Sequence, residues 1–185
     1  ETRLYLIEPA GSEYEYNNNW GFNLDSPVAV TTSQPFSIET WLYLIEPAES
    51  DFYYVTILGA DSGSNANGGH GAEIYVDNTF MEAYWHGGSG GVELDLILGQ
   101  WMHVVFTGDG TGNVKVYQNG VQKVPLAGFT HNSVTFNYLL TDDALERMDG
   151  YASEIAYYDY ALSDEHILEN YQNGVNCIIN PQVDT

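Results

Sequence analysis

Residues 99–124, GQWMHVVFTGDGTGNVKVYQNGVQKV, leave this chain little freedom. Met102, Val104 and Phe106 alternate with His103, Val105 and Thr107, the period-two pattern of a strand with one face in a core. Residues 108–113, GDGTGN, carry loop chemistry. Val114, Val116 and Gln118 then fall on one side and Lys115 and Tyr117 on the other. Asn119-Gly120 tolerates positive φ at both central positions, as a type I′ turn demands, and that turn matches the twist of the strands it joins. The stretch reads strand, loop, strand, tight turn, strand, and it commits the chain to antiparallel pairing.

The same reasoning extends outward. The patterning predicts strands over 28–32, 36–45, 51–58, 73–76, 79–85, 92–98, 133–140 and 151–160, with loops over 11–25, 61–71, 86–91 and 125–132. Within 36–45, Phe36, Ile38, Thr40 and Leu42 share one face, and Ser37, Glu39, Trp41 and Tyr43 the other. Ser163 fits a helix N-cap, with Asp164 and Glu165 in the first turn and Ile167, Leu168 and Tyr171 on the apolar side. Asn173-Gly174 is a stop signal. One short C-terminal helix after about a dozen strands predicts an all-β, two-sheet antiparallel sandwich.

The 185 residues suit a single domain over 1–185, long enough to bury a core without a staple. Residues 1–8 read as a first strand, and the chain, opening on Glu1, reads as a processed piece. LYLIEPA at 4–10 recurs at 42–48, which fits two strands each stopped by Glu-Pro, because proline cannot continue a central ladder. Lys and Arg number 4 against 26 Asp and Glu, a net charge of −22. Such a surface repels phosphate backbones and anionic headgroups, so the expected partners include no nucleic acid. No apolar run is long enough for membrane insertion by a helix. Cys177 is the only cysteine and rules out an internal disulfide.

Three segments carry a family resemblance. G-Q-W-x-H-V-V-F-T-x-D-G-x-G-x-V-x-V-Y-x-N-G resembles the signature hairpin of the laminin-G-like, concanavalin A-like lectin/glucanase jelly-roll family. PFSIETWLY (35–43) resembles its early strand, and MDGYASEIAYYDYAL (148–162) its last long strand and the turn into a helix. They occur in the family's order. The resemblance implies a jelly-roll sandwich with Trp41 and Trp101 at core positions, and a fold that hosts many functions.

Relatives that hydrolyse glycosides use a Glu-x-Asp-x-x-Glu strand. Here Glu93-Leu94-Asp95-Leu96-Ile97-Leu98 puts Leu98 where the general acid belongs, and such hydrolysis needs two working carboxylates. Gly87-Gly88-Ser89-Gly90-Gly91 formally matches G-x-S-x-G but lacks the strand–turn–helix setting of a nucleophile elbow. The expectation is therefore a protein that is not an enzyme. Calcium-binding relatives use a pattern like F-D-G-x-I-D-E-V. Its counterpart keeps Asp149 and Glu154 but has Ser153 for the second acid, a poorer ligand for a hard cation, with Glu13 or Glu15 as compensating ligands. Calcium at Asp149, Glu154 and Glu13 is the implied cofactor.

Aromatics, 15 Tyr, 7 Phe and 4 Trp, are the remaining signal. Tyr53, Tyr54, Tyr84, Trp85 and His86 flank the two glycine-rich loops, and Trp20 follows an asparagine run, so these are the candidate ligand contacts. His70 and His86 lie in those loops without metal spacing. The expected function is a non-catalytic extracellular adhesion module that grips a glycan or surface through rim loops. The alternative is a structural subunit of a virion or surface filament, self-associating through residues 4–7, Tyr157-Tyr158 or residues 177–179.

Overall fold

The computed structural model describes residues 22–45, 52–60, 71–85, 88–124, 128–140 and 150–175. Eleven strands and one helix are defined there: β1 (Phe22–Val30), β2 (Pro35–Leu44), β3 (Phe52–Gly59), β4 (Ala72–Asp77), β5 (Met81–Trp85), β6 (Gly91–Leu94), β7 (Trp101–Asp109), β8 (Val114–Gln118), β9 (Val121–Lys123), β10 (Val134–Leu139), β11 (Gly150–Tyr158) and α1 (Asp164–Gly174). Six strands form one sheet in the order β1-β10-β3-β4-β5-β6, and five form the other in the order β11-β2-β7-β8-β9. Every strand pair is antiparallel. This is the jelly-roll sandwich the sequence predicts.

The central hairpin forms as its residues dictate. Gln118 pairs with Val121 across a two-residue turn, and Asn119 and Gly120 take φ of 52° and 76°. The β7–β8 loop closes around one side chain: Asp109 Oδ1 accepts the Thr111 amide and hydroxyl, both at 2.7 Å, and Oδ2 accepts Asn113 Nδ2 at 2.9 Å.

The main core lies between the sheets, with Ile38, Leu42, Phe106, Ile74 and Phe136 fully buried in it. The five-stranded sheet is buried over part of its other face too, because α1 lies across it. Ile167 of α1 packs with Val105, Tyr117, Tyr158 and Leu162. Ser163 Oγ caps α1 by accepting the His166 amide, and Tyr117 Oη donates to Asp164 Oδ1 at 2.6 Å. Trp41 is 2% exposed, but its cover is α1: it stacks on Tyr171 at 5.8 Å and 17°. It is a core residue of the sheet's outer face, not of the space between sheets.

Several boundaries differ from expectation for identifiable reasons. β1 begins at Phe22, inside the expected 11–25 loop; it is an edge strand, where Pro27 and an irregular register between Asn23 and Val28 are tolerated. β6 stops at Leu94, short of Leu98, because Gln118 claims the backbone of Asp95: its Oε1 accepts Asp95 N–H and its Nε2 donates to Asp95 O, both at 2.8 Å. Trp101 is half-exposed rather than in the core, since it stands opposite Tyr43 on the face turned away from the second sheet. Tyr158 is spent internally, donating to Glu39 Oε2 at 2.8 Å, which removes it as interface material. Residues 1–8, 4–10 and 177–179 lie outside the described residues. Among the described residues no helix is long and apolar enough to cross a membrane.

Candidate functional site

Register places two rows of side chains on the outer face of the six-stranded sheet. Tyr54 of β3 stands opposite Tyr75 of β4, which stands opposite Glu82 of β5, which stands opposite Glu93 of β6. In the next row Thr56, Glu73, Tyr84 and Gly91 follow one another across the same strands. Strand alternation makes this the face opposite Val55, Ile74 and Ala83, which sit in the core. The rings meet edge to face: Tyr54 and Tyr75 have centroids 5.4 Å apart at 64°, and Tyr54 and Tyr84 5.9 Å apart at 75°. Aromatic pairs prefer this geometry because the positive ring edge meets the negative face.

The acids on this face are held in place. Glu73 is 0% exposed. The Glu82 carboxylate occupies the space over Gly91 that any Cβ there would take. Tyr75 Oη donates to Asp77 Oδ2 at 3.1 Å, and burial together with that carboxylate pushes the Tyr75 phenol up. Asp77 accepts the Thr79 amide and hydroxyl at 2.7 and 2.9 Å, which holds its carboxyl below the usual range.

Of the residues singled out from the sequence, the structure brings Tyr54 and Tyr84 together, in mid-sheet rather than on a loop rim. Tyr53 falls in β3 opposite Val76. Trp85 is corrected: it is 2% exposed, packed against Phe36, His131 and Phe136 at centroid distances of 5.4, 5.2 and 5.6 Å, with Nε1 donating to Asn132 Oδ1. Its parity in β5 is that of Met81 and Ala83, so it points into the core and offers no face to a ligand. Trp20, His86, Asp149 and Glu13 lie outside the described residues, as does His70. The sequence reading missed Thr56, Glu73, Tyr75 and Glu82. Alternation in Glu73-Ile74-Tyr75-Val76 marked the first and third as one face, but nothing local says which strands lie beside it.

The other chemistry resolves as follows. Glu93 and Asp95 do not share a strand face, because β6 ends between them; Lys123 Nζ instead donates to Asp95 Oδ2 at 2.6 Å. Ser89 sits in an isolated bridge to Thr130, their hydroxyls 2.8 Å apart, and not at the start of a helix. His131 is wedged between Phe36 and Trp85, where burial pushes its imidazole pKa down. Glu154 is an exposed carboxylate at an irregularity of β11, with φ 53°. Calcium takes about six to eight oxygens. Among the described residues no three His, Cys, Asp or Glu side chains converge.

Two antiparallel sheets with one short helix laid over the second define a jelly-roll sandwich of the concanavalin A-like kind. The chain belongs to the concanavalin A-like lectin/glucanases superfamily, whose laminin-G-type family model matches residues 17–168. Among solved structures it is similar to the receptor-binding domain of botulinum neurotoxin D, with TM-score 0.54, 16% identity and coverage of 83% of this chain and 41% of that one. It is also similar to the binding domain of botulinum neurotoxin serotype G, with TM-score 0.52, 14% identity and coverage of 77% and 37%. The chain thus spans about two fifths of the length of those structures, and the likeness is one of fold. No curated protein matches its sequence.

Proposed function

We propose that residues 1–185 form one laminin-G-like binding domain that acts outside the cell, without catalysis, by holding a glycan or a glycan-bearing surface. The observation that carries this is the Tyr54–Tyr75–Tyr84 set, three rings contributed by adjacent strands to one sheet face. Rigid strands hold the rings in fixed geometry, and phenols join an apolar face to a hydroxyl that can exchange hydrogen bonds with a saccharide. The family and the binding domains that share the fold are consistent with this role. Calcium held by Glu154 with Asp149 and Glu13 is part of the proposal, as a brace for the end of β11. The domain is to be screened against a broad immobilised glycan panel with calcium and with chelator. Binding is expected, and silence across the panel overturns the reading; a melting temperature indifferent to chelator removes the calcium.

A second reading, a subunit of a virion or surface filament, is favoured by Val121 in the edge strand β9 and Val124 just after it, which are 61% and 80% exposed. Unpaired apolar edges invite association. Solution mass decides between them: a trimer or polymer supports assembly, a monomer the binding domain.

A further inference from the structure

A second aromatic row crosses the other sheet. Tyr151 of β11 stands directly opposite Tyr43 of β2, and Tyr43 directly opposite Trp101 of β7. Tyr43 meets Trp101 at a centroid distance of 5.7 Å and 68°, and Tyr151 at 5.8 Å and 63°. The row lies on the face that α1 covers, one step along β2 from Trp41. Tyr171 covers Trp41, but Tyr43 and Trp101 remain half-exposed and Tyr151 is 47% exposed.

Three observations separate this row from ordinary sheet packing. Its polar atoms are unspent: among the described residues the Tyr43 and Tyr151 hydroxyls and the Trp101 indole N–H make no hydrogen bond, whereas the Tyr75 hydroxyl of the first row donates to Asp77. Among the described residues its flanks are uncharged: the residues two along the chain from the three rings are Trp41 and Ile45, Gly99 and buried His103, and Ser153. Its position is enforced. Gly150, at φ 154°, lies against the Tyr43 carbonyl where any Cβ would collide with it, so β11 enters the sheet there only with glycine and delivers Tyr151 beside Tyr43.

We infer that Tyr43, Trp101 and Tyr151 form a platform for an uncharged oligosaccharide. The inference rests on the proposal that the domain binds glycans and adds a second, separate surface to it. The C–H faces of a sugar ring are apolar and slightly positive and settle on the negative face of an aromatic ring, while its hydroxyls take up the three free donors. A cationic ligand would need carboxylates beside the rings, and among the described residues the flanks supply none. A polyanion is repelled by a chain of net charge −22.

The test titrates the 185-residue chain with cellohexaose, xylohexaose and mannohexaose, and with a sulfated glucan, for the wild type and for Trp101→Ala, Trp101→Phe, Tyr151→Ala, Tyr84→Ala and Lys115→Ala. Lys115 is exposed on β8, away from both rows, and serves as control. Melting temperatures confirm that each variant is folded. Expected is binding of a neutral hexaose that weakens about tenfold or more in Trp101→Ala and Tyr151→Ala, less in Trp101→Phe, and not at all in Lys115→Ala. Neutral binding kept within about twofold by the folded Trp101→Ala and Tyr151→Ala variants, or lost only in Tyr84→Ala, overturns the inference and leaves the glycan-binding proposal standing. Binding of the sulfated glucan alone does the same. Failure of the wild type on these probes and on the whole glycan panel overturns both.

Discussion

His103 Nε2 lies 2.7 Å from Glu39 Oε1 on the face of the five-stranded sheet that α1 covers. His103 is 0% exposed and Glu39 6%. Tyr158 donates to Glu39 Oε2 at 2.8 Å, and Asn170 of α1 donates to both carboxylate oxygens at 3.1 Å. One acid therefore ties β7, β11 and α1 to β2, and the hydrogen bonds it accepts offset the cost of burying its charge.

Glu39→Ala leaves those partners without an acceptor and is expected to cost about 3–5 kcal/mol of stability at neutral pH, measured by urea unfolding. The contribution depends on pH. Burial pushes the Glu39 carboxyl up, but His103, Tyr158 and Asn170 outweigh it and hold the folded chain's pKa below 4.5. The unfolded chain takes up the proton first as pH falls. Wild-type stability from Glu39 is thus complete above 4.5 and shrinks as pH drops through the folded value, and the gap between wild type and Glu39→Gln narrows in that window.

Gly174→Ala runs against the usual rule. Alanine in a helix is favoured over glycine by roughly 0.5–1 kcal/mol. Here the added Cβ would overlap the Trp41 indole, so α1 must lift from the sheet. The expected outcome is a loss of about 1–3 kcal/mol with a change in near-ultraviolet circular dichroism as Trp41 loses its fixed setting. A stabilised variant would show that α1 does not press on Trp41.

Trp85→Ala is expected to cost about 3–5 kcal/mol, because it empties the space between Phe36, His131 and Phe136. Where the variant is still folded, glycan affinity should equal that of the wild type. A selective loss of affinity would return Trp85 to the binding surface.

Asp109→Ala removes the acceptor that closes the β7–β8 loop. The Asn113 side chain above all, joined by Thr111 and opposed by burial, holds this carboxyl at about 2, below its ordinary 3.8. The loop is exposed, so the expected cost is only about 1 kcal/mol. It is full above pH 3.8 and lost as pH falls through about 2. Urea midpoints across that range check it, and limited proteolysis should cut the variant within residues 109–113.

Much of this fold was legible locally. The alternation in residues 102–107, the Asn119-Gly120 turn and the Ser163 cap each act between residues a few positions apart, and each appears where the sequence puts it. Chain order alone also identified Phe36, Ile38 and Leu42 as one face of β2 and Glu39 and Trp41 as the other. What the far side of that strand meets was not legible. Only the closed fold lays α1 over Glu39 and Trp41, leaves Tyr43 and Trp101 half-buried one row further on, and brings Tyr54 against both Tyr75 and Tyr84. A strand's parity follows from its own backbone, but its neighbours follow from pairings between segments tens of residues apart, and those are chosen by the packing of the whole sandwich.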